Sequence, residues 1–233
     1  MAESSLLSRI LRGALYFPKT LYINFKTLPI SDALKFPFIV MGPCSFRGIN
    51  KKSICIDTPV KKGMIRIGAQ KTAKRGIQVN RHTHFICENG GKIVFHGNAS
   101  IGAGSSLCAS GGVISLGDDF SCNNNCFLYS MESISVGDNV LLGWNINIRD
   151  NDGHPIYHEG TLCNPNKPIV LHDNIWIASY VDILKGVELA SGTIIGTRSL
   201  VTKGTTEENT IIGGSPAHKI RDNVTWEHRI GSF

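Results

Sequence analysis

The sequence lacks any uninterrupted apolar run near the ~20 residues that cross a bilayer, which argues against a helical membrane span. It also lacks an even, regularly spaced set of cysteines. The seven are irregular, and Cys108, Cys122 and Cys126 sit where small hydrophobes belong. Cys122-x-x-x-Cys126 has no partner pair. These features argue against a disulfide framework and a zinc site, and imply free thiols in a reducing compartment. No secretory leader is legible, because Leu6 to Leu15 is broken by Arg9 and Arg12 with no clean cleavage site after it. A cytoplasmic location is expected. Charge is sparse at 18%, but with 42% hydrophobic residues and 25 glycines this composition suits a turn-rich β protein and not a disordered chain.

The charge that is present is uneven. Residues 1–52 hold eight basic groups (Arg9, Arg12, Lys19, Lys26, Lys35, Arg47, Lys51, Lys52) against two acidic ones (Glu3, Asp32), while the remainder is neutral. The basic groups alternate with aliphatics and no recognition motif accompanies them, so nucleic acid is not the expected partner. An anionic membrane surface, met peripherally through residues 1–52, fits better.

Between Leu171 and Val201 the aliphatics fall every six residues: Leu171, Ile177, Ile183, Leu189, Ile195, Val201. Small or β-branched residues sit four after most of them, at Ile175, Val181, Val187, Thr193 and Ser199. Neither a helix nor a flat strand has that period, whereas a β-solenoid does, with each hexad forming one side of a coil. The beat begins near Ile67 and runs less cleanly through Ala73, Val79 and Phe85. It continues at Phe95, Ile101, Leu107, then Leu116, Cys122, Leu128, then Val136, Leu142, Ile148. Breaks follow Phe85, Leu107, Leu128 and Ile148, each after a third hexad, so the extra residues should emerge along one edge of a triangular prism. Three regions are expected: a basic, amphipathic cap segment over 1–65, repeats over 66–204 with a protruding loop at 149–170, and a closing cap and tail over 205–233.

Within the first region, Leu6, Leu7, Ile10, Leu11, Ala14 and Leu15 share a helical face that Pro18 is expected to close. Leu21–Phe25 and Leu34–Val40 follow as candidate strands. Such a segment either covers the open end of the solenoid or attaches to lipid, and the two roles are compatible.

The loop at 149–170 holds the clearest chemistry. His154, between Gly153 and Pro155, is not placed as a core histidine. An imidazole there can take a proton from a hydroxyl or an amine. Asp152, Glu159 or a backbone carbonyl are candidates to orient its ring, and His158 is the rival base.

Several segments carry a family resemblance. Hexads of the form aliphatic-Gly-x-x-small-x resemble the hexapeptide-repeat acyltransferases. Gly153-His154-Pro155-Ile156-Tyr157-His158-Glu159 is similar to the Gly-His-Pro-x-x-His-Glu segment of galactoside and maltose O-acetyltransferases. Asn174–Ser179, Ile195–Lys203 and Gly214–Arg221 resemble, in order, their Asn-Val-Trp-Ile-Gly-Ser, Ile-Gly-Ala-Gly-Ser-x-Val-Thr-Lys and closing Gly-x-Pro segments. The match spans about residues 116–221. The first 65 residues look more like those of surface-polysaccharide O-acetyltransferases.

The resemblance implies an all-β fold, a left-handed parallel β-helix, assembled as a homotrimer with no metal. It implies acetyl-CoA as acyl donor, a sugar or glycan acceptor, and direct transfer with His154 as the general base. It places Trp176, Ser179, Thr197, Thr202, Lys203 and Arg221 at coenzyme A and Asn123 at the acceptor. Two departures stand out: Met131 occupies the position of an acceptor-side acidic residue, with Glu132 adjacent, and Ala178 and Arg198 replace glycines. The alternative activity is N-acetylation of an amino-sugar nucleotide. More distant alternatives are a zinc enzyme resembling γ-class carbonic anhydrases, which the spacing of the histidines does not match, and a non-catalytic β-helix module.

Overall fold

The computed structural model describes residues 6–69 and 81–227, so Ala73 and Val79 of the expected beat lie outside the described residues. The backbone winds as a left-handed parallel β-helix with three faces. Face A contains Phe38–Val40, Ile65–Ala69, Ala99–Gly102, Phe120–Cys122, Leu141–Leu142, Trp176–Ile177 and Ile194–Ile195. Face B runs from Cys44–Arg47 through Thr83–Glu88, Ser106–Ser110, Phe127–Ser130, Asn147–Arg149 and Asp182–Ile183 to Leu200–Val201. Face C runs from Ile54–Ile56 through Lys92–Phe95, Val113–Leu116, Ser133–Val136 and Ile169–Leu171 to Glu188–Leu189.

The six-residue beat is the interior of this prism. Leu171, Ile177, Ile183, Leu189, Ile195 and Val201 are all buried, on faces C, A, B, C, A and B in turn. The residues four positions later, such as Ile175, Val181 and Ser199, fill the corners. Lower in the stack the interior is aromatic: Phe38 meets Phe95 edge-on at 5.9 Å, and Phe95 lies 6.5 Å from Phe85. The breaks after Phe85, Leu107, Leu128 and Ile148 fall at the corner between faces B and C, as the sequence pattern implied. The count of three hexads up to Phe85 is corrected: Ile67 is on face A and Phe85 on the next face, B, so the stretch between them spans one corner.

Corner chemistry explains the many Asn, Asp and Gly residues. At the corner between C and A, the Asp173 carboxylate accepts the Asp138 N–H at 2.8 Å, Asp138 accepts the Asp118 N–H at 2.7 Å, and Asp118 accepts the Asn98 N–H at 2.6 Å. Each carboxylate thus stitches its coil to the preceding one. Asp119, Asn139 and Asn174 follow with positive φ, a conformation that Asn and Asp tolerate better than most residues.

Coiling begins earlier than the expected start near Ile67. Phe38 pairs with Ile65, Cys44 with Thr83 and Ile54 with Ile93, so 38–56 already makes a turn of the solenoid within the segment read as a cap. Longer corners and aromatic interior residues obscure its period.

The expectation that Pro18 closes the first helix is corrected. Helix α1, Leu6–Thr27, runs through Pro18, and Leu21–Phe25 is helical. Proline removes the bond to the carbonyl of Ala14, but both residues are exposed, where water can serve that carbonyl. The second half of the helix is held by tertiary bonds. The Asn24 side chain donates to Phe38 O at 2.9 Å and accepts from Phe38 N at 3.2 Å, while Thr20 Oγ1 accepts from Val40 N at 3.0 Å. Polar helix side chains therefore replace the missing strand beside face A. Leu15 is left outside at 67% exposed, while Phe17 and Phe25 rest against Phe36 and Tyr22 against Phe46, each about half exposed. A short helix α2, Ile30–Ala33, leads into the first strand. Among the described residues no helix is long and apolar enough to cross a membrane.

At the other end, Ile211–Gly214 adds to face A in parallel, and Ala217–Arg221 folds back on it antiparallel.

Candidate active site

The His154 loop leaves face B at a buried carboxylate. Asp150 accepts from Ser130 Oγ at 2.8 Å, Met131 N at 2.8 Å, Glu132 N at 2.9 Å and Asn151 Nδ2 at 2.9 Å. Its own carbonyl accepts the Lys167 N–H at 3.0 Å, so the two ends of the loop meet at one residue. Asn151 then accepts the Gly153 N–H at 3.0 Å, and Gly153 has positive φ, which turns the chain just ahead of His154.

Asn164 and Lys185 fix the middle of the loop. Asn164 donates to His154 O and to Asp152 Oδ2, both at 2.9 Å, and accepts from Ile156 N at 2.6 Å. Lys185, half-buried one coil on, donates to Asp152 Oδ2 at 2.6 Å and to Asn164 O at 3.0 Å. The Lys185 bond, with help from Asn164, holds the Asp152 carboxyl below its ordinary range. Beyond this, Tyr157–His158 and Thr161–Leu162 form a small antiparallel hairpin.

The result is a rigidly rooted loop carrying an exposed imidazole. Asp152 is engaged by Lys185 and Asn164, and among the described residues the His154 ring has no hydrogen-bond partner. His158 lies in the exposed hairpin.

The other singled-out residues divide between two corners and face A. Thr202 and Lys203 follow Leu200–Val201 and lie at the B/C corner, on the His154 side. Lys203 sits one coil above Lys185, because Ile183 pairs with Val201. Asn123, Ser179 and Thr197 lie at the A/B corner. There Thr197 Oγ1 donates to Ser179 O at 2.7 Å, and Ser179 Oγ accepts from Trp144 N at 3.2 Å. The Asn123 carbonyl accepts from Ser105 Oγ at 3.2 Å. Trp176 and Arg221 lie on face A in one row, linked through Ile194 and Ile211. Trp176 therefore does not stand beside Lys203 as the sequence order suggested, since a coil separates residues near in sequence onto different faces. Within one chain the His154 group and the Ser179–Thr197 group are on opposite edges of face B.

Several contributors carry no periodic signal. Asp150, Asn164 and Lys185 lie in or against the insertion. Trp226, read as tail, lies 6.3 Å from Trp176 ring to ring and donates to Asn174 O at 2.6 Å. A cavity of about 420 Å³ opens at the A/B corner beside Tyr180 and Arg198. No disulfide joins any of the seven cysteines, which all lie among the described residues. Among the described residues no three His, Cys, Asp or Glu side chains converge as a metal site.

No protein-family model matches the chain. WbbJ of Escherichia coli (strain K12), named for a proposed O-acetyl transferase role in lipopolysaccharide biosynthesis, is 31% identical over 168 residues, 66% of this chain and 85% of WbbJ. The galactoside O-acetyltransferase of the same strain is 34% identical over 116 residues, 48% of this chain and 55% of that enzyme. Among solved structures, the polySia-specific acetyltransferase NeuO aligns over 84% of this chain and 91% of its own, with a TM-score of 0.59 at 20% identity. A hexapeptide transferase family protein from Anaplasma phagocytophilum aligns over 78% and 84%, with a TM-score of 0.52 at 14% identity. At those identities the structures speak to the fold alone. The extent of the match to WbbJ, on a prism of hexapeptide coils with a rooted His loop, shows that the chain belongs to the hexapeptide-repeat, left-handed β-helix acyltransferases.

Proposed function

We propose that the protein is an O-acetyltransferase that moves an acetyl group from acetyl-CoA to a sugar hydroxyl, in the building of a surface polysaccharide or glycan. His154 takes the hydroxyl proton as the oxygen attacks the thioester carbonyl. The tetrahedral oxyanion then collapses, the carbon–sulfur bond breaks, and the proton passes from the imidazolium to the departing thiolate. The carrying observation is the loop itself. It is exposed, yet rooted by Asp150 and by Lys185–Asp152, so it holds an imidazole in place outside the prism. An amine acceptor would suit the same base, which keeps N-acetylation as the second reading.

Acyl-CoA chemistry suits the surroundings. Lys203, Arg198 and Arg221 are exposed cations with no ion pair among the described residues, and cations at coil ends match phosphate groups. Asn123 would face the acceptor, and Trp176, Ser179, Thr197, Thr202, Lys203 and Arg221 the donor. Because Thr202 and Lys203 lie at the B/C corner while Ser179 and Thr197 lie at the A/B corner and Trp176 and Arg221 on face A, one chain brought with its B/C edge against the A/B edge of another completes a site. Three such head-to-tail contacts close a trimer.

Thiol release from acetyl-CoA with candidate glycans tests the base: His154→Ala should lose a factor of roughly 10²–10⁴, and full transfer by the variant removes His154 from that role. Mixing tests the shared site. His154→Ala and Thr197→Trp, each inactive alone, should regain roughly a quarter of wild-type activity in trimers assembled from equal parts. No recovery in confirmed mixed trimers refutes a site built from two edges.

Peripheral contact with an anionic membrane belongs to the same reading. The exposed positions of α1 and α2 include Leu15, Ile30, Lys19 and Lys26, with Phe17, Tyr22 and Phe25 about half exposed, the composition of an interfacial helix. Sedimentation with anionic vesicles should fall for Leu15→Glu/Phe17→Glu; unchanged sedimentation removes the membrane contact.

A further inference from the structure

We propose that Tyr180 and Arg198, stacked at the A/B corner of the last two full coils, form a phosphate-recognition site. The inference deepens the acyl-transfer reading above: it rests on that reading for Arg198 as a phosphate-matching cation and adds Tyr180, which that reading does not use. The corresponding corner position in earlier coils is filled by Gly104, Asn125 and Asn145, all with positive φ. Gly and Asn are the residues that adopt this conformation most readily. In the next two coils the same slot holds Tyr180 at φ 61° and Arg198 at φ 57°. The backbone pattern of the corner continues unchanged, with Tyr180 N donating to Trp144 O at 2.8 Å and Arg198 N to Ser179 O at 3.0 Å. The coil therefore does not require these two bulky side chains, which adopt a conformation disfavoured for their type.

Packing does not account for them either, because Tyr180 and Arg198 are both exposed. What they make is a shelf: the Arg198 guanidinium lies 5.0 Å from the centre of the Tyr180 ring. A cation held over the ring face keeps the guanidinium at the cavity wall, and a guanidinium there has N–H groups enough for bidentate capture of a phosphate. Arg198 has no ion pair among the described residues. The shelf walls a cavity of about 420 Å³ that also presents Ser199, Ser215 and Asn145. The acidic group there, Asp182, accepts from Asn147 Nδ2 at 2.8 Å. Thr197 directly precedes Arg198, so the shelf adjoins the corner assigned to the donor.

A phosphate at this position has two sources: the 3′-phosphate or diphosphate of the acyl donor, or a diphosphate carried by the acceptor. Calorimetric titration of the full-length protein with CoA, 3′-dephospho-CoA and inorganic pyrophosphate separates them. Arg198→Gly restores a residue that takes φ 57° readily, so the coil should fold. It should weaken its ligand about tenfold or more, the effect of losing a charge-assisted bond, and Arg198→Lys should recover only part. A loss seen with CoA and absent with 3′-dephospho-CoA assigns the shelf to the 3′-phosphate. An equal loss with both assigns it to the donor diphosphate. A loss confined to pyrophosphate assigns it to the acceptor. If Arg198→Gly binds all three within about twofold of wild type, the proposal is overturned. A wild type that binds pyrophosphate through Arg198 but not CoA keeps the shelf and overturns the acyl-CoA reading, and a wild type that binds none overturns both.

Discussion

Replacing Asp150 with alanine would take one buried carboxylate away from four donors at once. Two of them have a second acceptor in place: Ser130 Oγ reaches Val113 O at 3.2 Å, and Asn151 Nδ2 reaches Tyr129 O at 3.3 Å. The backbone N–H groups of Met131 and Glu132 have only Asp150 among the bonds found for them. An orphaned buried donor costs about 1–3 kcal/mol, and these two bonds are part-buried, so each amide falls at the low end and the pair sets the loss at about 2 kcal/mol. Asp150→Asn keeps one oxygen and so spares one of the two amides, for a loss of about 1 kcal/mol. Urea unfolding at fixed protein concentration measures both, and protease cleavage within 153–163 reports whether the loop has come off its root. A loss below about 1 kcal/mol for alanine, or equal losses for the two variants, would refute the reasoning that these two amides depend on the carboxylate.

Three further outcomes are expected. Because the Asp152 carboxyl is held below its ordinary range, mainly by Lys185, the stabilisation it gives the loop is present above the ordinary carboxylate value and fades as pH falls through the lower folded value; protease protection of the loop should be alike at pH 7 and pH 5, and should be lost at both in Lys185→Ala. Asn24→Leu removes both partners of Phe38's backbone and should cost about 2–4 kcal/mol, read as a lower melting temperature, whereas an unchanged one would show that the cap contributes nothing there. Thiol labelling should take exposed Cys163 first, while Cys44, pushed up to about 12 by burial, and Cys87, pushed up to about 11 chiefly by burial, should react only on unfolding; early labelling of Cys44 would contradict its placement.

The upper coils were legible because their interior is aliphatic and their strands are two residues long, so one residue in six points inward without interruption. Ile177 and Ile183 carry that signal. The lowest turn hid it, because its strands are three or four residues long, its inward position on face B is Phe46, and the corner between Arg47 and Ile54 breaks the count. The second half of helix α1, past Pro18, was hidden for a different reason. Its buried stripe contains Thr20, Asn24 and Thr27, which satisfy backbone groups, so hydrophobicity marks the wrong side. At the site, a histidine between Gly153 and Pro155 announces itself, but the residues that hold its loop do not. Asp150, Asn164 and Lys185 act through single hydrogen bonds across coils, which have no period to read. The division of the donor-side residues between two corners and face A follows from the threefold winding and emerges only when each residue is assigned a face.

The two ends of the prism also bear on how long such an object grows. Any coil offers a row of backbone donors and acceptors onto which a like coil could stack, and nothing in a repeat says where to stop. At one end Asn24 and Thr20 occupy that row with side chains, and at the other Ala217–Arg221 runs backward against Ile211–Gly214. On face A neither presents a parallel template to the end of the next molecule. Removal of both α1 and Ala217–Arg221 should therefore convert a protein of fixed length into filaments, visible by electron microscopy.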